Sequence, residues 1–292
     1  MKGLKFGAVG SSFSVRFFTP AVALLTVALQ AQAQIVPLSD NNSSALINAS
    51  SQAGMFNWTV DGVNQLAQQW FWYRVDSSPQ QSIDTISAPS ITTVGLNTAR
   101  ITYNNNSFSV EVDYTLQGQT SGSGQANIRE DIRIHNFSTT NSLDFHFFQY
   151  SDFDLGGQVG GDTVSLGKDL SGKFNEALQT KGSSIFSETD VTPGANHGMV
   201  TNFPNLLNLL NSGSAINLND STGPLGPGDE TWALQWDYSG VNAIGPGADA
   251  LISKQKFLQV PEPSALVMIS LGAVAYALHR RRQSQHGHPP VA

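Results

Sequence analysis

Apolar and polar residues alternate along most of this chain with the period of two that marks a half-buried strand, and one short stretch has a helical spacing. The clearest case is 108–116, where Phe108, Val110, Val112, Tyr114 and Leu116 share one face and Glu111 and Asp113 the other. Arg100-Ile101-Thr102-Tyr103 precedes it across Asn104-Asn105-Asn106, residues that accept left-handed backbone angles, so the two segments are predicted to pair as a hairpin. Residues 69–75 put Trp70 and Trp72 on one face and Phe71 and Tyr73 on the other, the pattern of a strand covered on both sides. In 126–136, Ile128, Ile132 and Ile134 read as apolar positions out of strict register, which a bulge near Glu130 would reconcile. Further strands are predicted at 143–150, 163–166, 173–180, 184–191, 230–238 and 250–258, with Trp232, Leu234, Trp236 and Tyr238 sharing a face. Residues 38–51, rich in Ser and Asn, read as a loose lead-in. The helix is predicted over 204–211, where Leu206, Leu207, Leu209 and Leu210 would press on a sheet and Gly213 would end it.

Strands set off by turns at intervals of roughly 8 to 12 residues, with no alternation of strand and helix, predict an all-β fold. The expected architecture is an antiparallel β-sandwich, jelly-roll-like or Ig-like, over 34–259, with one short helix. Two apolar segments stand outside it. Lys2, Lys5 and Arg16, the apolar run 17–29 and the small-residue site Ala31-Gln32-Ala33 have the layout of a signal peptide over 1–33, which addresses the chain to the Sec translocon and leaves Gln34 as the mature N-terminus. At the other end, Val260-Pro261-Glu262-Pro263-Ser264 leads into an apolar run closed by Arg280-Arg281-Arg282. The prolines fix their own φ and hold the preceding residues extended. The uncharged stretch 264–278 spans roughly 22 Å as a helix against a hydrocarbon core of about 30 Å, so a transmembrane helix over 264–279 is a short one. The arginines place 283–292 in the cytoplasm and everything before Pro261 outside.

In that order, the elements of 260–282 resemble the PEP-CTERM sorting domain of Gram-negative bacteria, a tail family also labelled an ice-binding protein C-terminal domain. The resemblance implies export, and handling at Pro261-Glu262-Pro263 by an exosortase, a membrane protease or transpeptidase. It also implies a single-pass inner-membrane precursor that ends on the outer surface or outside the cell, within an exopolysaccharide matrix. The extension 283–292 departs from family members, which commonly stop soon after the basic cluster. Segments 72–75, 131–134, 145–155, 193–197 and 228–237 resemble a group of exported PEP-CTERM proteins, a grouping that implies no function.

Charge narrows the partners of the middle segment. Within 34–259, nine Lys and Arg stand against 21 Asp and Glu, a formal charge of −12 that repels nucleic acid. The chain has no cysteine, so packing rather than disulfides must hold a domain destined for an oxidising compartment.

Candidate chemistry is sparse. Asp152, Asp154 and Asp162, around Gly156-Gly157, could present hard oxygens to Ca²⁺, without the spacing of an EF-hand; the plainer reading is a solvated strand exit. His135, His146 and His197 lack the spacing of a metal site on one element. No Gly-x-Ser-x-Gly elbow occurs, Glu111 and Asp113 are expected to face water, and Glu130 and Asp131 fall on opposite faces, so no catalytic residue is assigned. Trp58, Trp70, Trp72, Trp232 and Trp236 could form a sugar-stacking platform, but their Leu, Phe and Tyr partners are those of a core. An ice-binding plane would need ranks of regularly spaced threonines, which Thr92-Thr93 do not supply. The expectation is an exported, non-enzymatic protein with a structural or adhesive role. A carbohydrate-binding module of the exopolysaccharide matrix is the first alternative and a secreted hydrolase the second.

Overall fold

The structure, a computed structural model, describes residues 34–261. The signal segment with Ala31 and Ala33, the processing residues Glu262, Pro263 and Ser264, the transmembrane helix 264–279, and Arg280, Arg281 and Arg282 lie outside the described residues. Strands β1 (Ile35–Asp40), β2 (Ser43–Asn48), β3 (Gly54–Val60), β4 (Val63–Asn64), β5 (Leu66–Val75) and β6 (Gln81–Ser82) belong to a first sheet. The chain then crosses to a second sheet for β7 (Ser90–Val94), β8 (Thr98–Asn104), β9 (Phe108–Gly118) and β10 (Gln125–Asn136). It returns for β11 (Phe145–Phe153) and crosses again for β12 (Asp162–Lys168), β13 (Phe174–Lys181) and β14 (Ser184–Thr192). Strand β15 (His197–Asn202), helix α1 (Asn205–Leu210), β16 (Leu225–Gly228), β17 (Glu230–Tyr238) and β18 (Asp249–Gln259) complete it, β15 and β17 in the first sheet, β16 and β18 in the second.

The first sheet runs β1-β2-β3-β5-β11-β17-β15 and the second β16-β12-β13-β14-β18-β10-β9-β8-β7. All neighbours are antiparallel except a brief parallel contact of β3 with β5. This is the antiparallel sandwich that the alternation predicted. Strand β9 buries every second residue from Phe108 to Leu116, and β8 and β9 form the expected hairpin, Tyr103 opposite Val110.

Two local expectations are corrected. Residues 38–51 are no lead-in: β1 and β2 occupy most of them, with Val36, Leu38, Ala45 and Ile47 turned inward. Ser43, the remaining inward residue of β2, receives the indole N–H of Trp58, so a small polar side chain holds an apolar parity. There is no bulge at Glu130 either. Ile128, Ile132 and Ile134 are already in one register with Glu130 between them, and the pairing of β10 with both neighbours is continuous.

The core is aromatic. Phe71 stacks on Phe147, with ring centroids 5.3 Å apart, and Phe153 of the first sheet stacks on Phe186 of the second. The outer face of the first sheet is covered by α1 and the chain that follows. Leu206 and Leu210 are buried, Asn211 accepts from the Trp72 indole at 3.2 Å, and the Leu218 N–H donates to Gln235 at 2.9 Å. That cover explains why β17 is buried on both faces over most of its length.

Candidate functional site

Four aspartates gather at one end of the sandwich. Asp152 lies one residue before the end of β11 in the first sheet and Asp154 just beyond that strand; Asp162 opens β12 in the second sheet, and Asp229 lies in the connection from β16 to β17. Carboxylate oxygens of Asp152, Asp154 and Asp229 all lie within 4.8 Å of one another. The structure thus joins two of the three sequence candidates to Asp229, a residue far along the chain that spacing could not supply. Asp162 is outside that triad but beside it. Burial, more than the charges of Asp229 and Asp154, pushes the Asp152 carboxyl up to about 7. Burial likewise pushes Asp162 up to about 7, although the Lys181 charge pulls the other way.

A second polar group was not foreseen. His146 Nδ1 lies 2.5 Å from Asp237 and its Nε2 3.1 Å from Asp144; His197 lies 3.3 Å from Asp237 through Nε2 and 3.0 Å from Asp220 through Nδ1. Sheet register makes this chain of carboxylates and imidazoles, because β11 sets His146 directly opposite Asp237 and β15 lies against the other side of β17. Burial would raise the Asp237 carboxyl, but hydrogen bonds from His146 and Gln235 and the charges of both histidines outweigh it and hold it below the usual range. Each ring nitrogen of His146 and His197 already faces a carboxylate. The third histidine, His135, stands apart and is held by Asp249 at 2.7 Å.

Between the sheets lies a buried ionic quartet. Lys254 and Lys256 of β18 both contact Glu130 of β10, and Lys256 is 3.1 Å from Glu188 of β14. Gln149 of β11, in the facing sheet, accepts from Lys254 and donates to Glu188 at 2.8 Å. The sequence signal was opposite charge at inward parity: Ile128-x-Glu130-x-Ile132 on one strand, Ile252-x-Lys254-x-Lys256-x-Leu258 on its neighbour.

All five tryptophans are buried, none more than 1% exposed. The outer face of the second sheet carries paired charges: Arg100 with Asp113 at 2.7 Å, Arg129 with Asp131 at 2.7 Å and Arg133 with Asp249 at 2.9 Å. Glu111 and Asp113 face this solvent side, as the alternation required. The root of the tail is fastened to the fold, since the Val260 N–H donates to the Gly124 carbonyl at 2.8 Å. Gly124 has φ +66°, and a Cβ there would run into the Val260 carbonyl. No helix among the described residues is long and apolar enough to cross a membrane.

A sandwich whose last strand runs straight into a Pro-Glu-Pro segment defines a domain joined to a C-terminal sorting signal. Residues 259–282 match the PEP-CTERM protein-sorting motif, and the chain is a PEP-CTERM sorting domain-containing protein. That motif implies processing by an exosortase and export by way of a membrane-anchored precursor. No curated protein matches the chain in sequence. In structure it is similar to a bacterial glucoamylase complexed with acarbose, at TM-score 0.52 and 7% identity over 84% of this chain. The chain spans only 36% of that enzyme, and the likeness is one of fold.

Proposed function

We propose that the chain is an exported structural or adhesive component of the cell surface or extracellular matrix, carried out through the Sec translocon by its signal peptide and without catalysis of its own. The fate of the aromatic residues carries this reading. Trp58, Trp70, Trp72, Trp232 and Trp236 pack inside the domain, so its large flat side chains bind the sheets together instead of facing a ligand. The exterior of the second sheet is a grid of self-paired charges, suited to staying soluble in a hydrated matrix. The test is fractionation of the tagged chain in hosts with and without an exosortase. The chain should reach the exterior in the first and stay in the inner membrane in the second; equal distribution would sink the reading.

Carbohydrate binding is the second reading, and a trough on the outer face of the second sheet favours it. About 590 Å³ in volume, it is lined by Arg100, Asp113, Arg129, Asp131, Arg133 and Leu251 among others. Guanidinium and carboxylate groups in rows offer the donors and acceptors that sugar hydroxyls take. A glycan array probed with the exported chain and with Arg133→Ala tests it: hits that survive the substitution, or none at all, count against the trough.

A further inference from the structure

The four aspartates have a second property besides closeness. Asp162 is 1% exposed and Asp152 5% exposed, yet Oδ1 of each has no hydrogen-bond partner. Gln179 of β13, wholly buried, donates to the Phe153 carbonyl while its own Oε1 is also without a donor. Asp152 is itself a member of the triad, so one of these buried, unpartnered oxygens lies inside the cluster. A buried acceptor left unpaired costs about 1–3 kcal/mol, more when charged. Lys181 is the cation that acts on Asp154 and Asp162, and its ammonium is already engaged with the Gln158 carbonyl. Asp152 Oδ1, buried and without a donor inside a triad of carboxylates, points to a bound cation.

The donor set selects the ion. Every candidate ligand is an oxygen, with no histidine or cysteine in the group, which disfavours zinc. Oxygens on opposite sides of one Ca²⁺ stand roughly 4.6–5.2 Å apart, given bonds of about 2.3–2.6 Å. The observed spread of up to 4.8 Å fits within one such sphere. Mg²⁺ demands a tighter octahedron and keeps most of its water, a poor match to a partly buried carboxylate triad.

We propose that Asp152, Asp154 and Asp229 bind one Ca²⁺, with the carboxylate of Asp162 reinforcing the negative field from the second sheet. Asp152 lies one residue before the end of β11, Asp154 just past that strand, and Asp229 in the connection between the sheets, so the ion clips the two layers of a domain that has no disulfide. The site goes beyond the structural or adhesive reading and stands whether or not that reading does.

The test uses the full chain, purified in detergent and stripped with EDTA. CaCl₂ titrated by calorimetry should show one saturable site, and thermal unfolding should shift upward with Ca²⁺. Tb³⁺ in place of Ca²⁺ should luminesce by transfer from Tyr150, whose hydroxyl is 3.2 Å from Asp152. Asp229→Asn should weaken Ca²⁺ binding at least tenfold while leaving the stripped protein as stable as wild type or more so, because it removes repulsion. That combination separates loss of a ligand from loss of the fold. Glu176→Gln, on the exposed side of β13, should bind as wild type does. No saturable site at millimolar Ca²⁺, equal affinity for Mg²⁺, or binding untouched by Asp229→Asn would overturn the proposal.

Discussion

Glu130→Gln would leave two buried ammonium groups with one carboxylate. In the native core, Glu130 and Glu188 balance Lys254 and Lys256, and none of the four is more than 1% exposed. Removing one partner from a buried ion pair costs about 3–5 kcal/mol, because the remaining charge has neither water nor counter-ion. In a domain of this size each kcal/mol lowers Tm by about 2–4 °C, which gives a fall of roughly 6–20 °C. Burial already pushes Lys254 down to about 8 against the pull of Glu130, so in the variant Lys254 sheds its proton readily. The unfolded chain keeps that proton up to the ordinary lysine pKa. The penalty is therefore largest near neutral pH and shrinks as pH rises towards about 10. Urea unfolding followed by fluorescence of the buried tryptophans measures both the cost and its pH dependence. An unchanged midpoint at pH 7, with an unchanged slope, would refute the reasoning. Replacing the whole quartet together with its amide partner, by Glu130→Leu, Glu188→Leu, Lys254→Met, Lys256→Met and Gln149→Met, should be neutral or stabilising by about 1–4 kcal/mol.

Iodide should quench little of the tryptophan fluorescence of the folded chain, since all five indoles are buried; strong quenching of even one would place a tryptophan at the surface. Gly124→Ala should cost about 1–3 kcal/mol and expose the chain after Gln259 to limited proteolysis, because it combines a positive φ with a collision at Val260; an unchanged digestion pattern would count against the clamp. Asp237 contributes to the acid limb of stability. Its folded pKa lies below the unfolded value, so its contribution is complete above the ordinary carboxylate range and is lost as pH falls through the folded pKa. Asp237→Asn should make that limb shallower in an acid titration of Tm, and an identical limb in the variant would exclude a contribution from Asp237.

The strand pattern of 108–116 was legible because large residues carry its parity, and the same holds for Trp232, Leu234, Trp236 and Tyr238. Strands β1 and β2 were not, because Ser43 and Ala45 fill inward positions that periodicity reads as polar or neutral. Their turn signal lay in plain view in Asn41-Asn42, the two-residue loop between them, where Asn41 adopts positive φ. Glu130 was mistaken for an interruption since its partners, Lys254 and Lys256, lie over a hundred residues away. The acidic cluster was half legible for the same reason. Asp152 and Asp154 are neighbours in sequence, whereas Asp229 reaches them only once β17 has paired with β11.

Strand β18 leads directly into the sorting tail, and its position decides how the domain carries mechanical load. It is hydrogen-bonded to β10 along its whole length on one side and to β14 over its C-terminal half on the other. Under tension applied at the C-terminal end of that strand and along its axis, both ladders are loaded in shear, so many hydrogen bonds must fail together, whereas a strand at the sheet edge pulled sideways would peel one bond at a time. The tail is tied to an interior strand of the second sheet, a connection built to resist being drawn out.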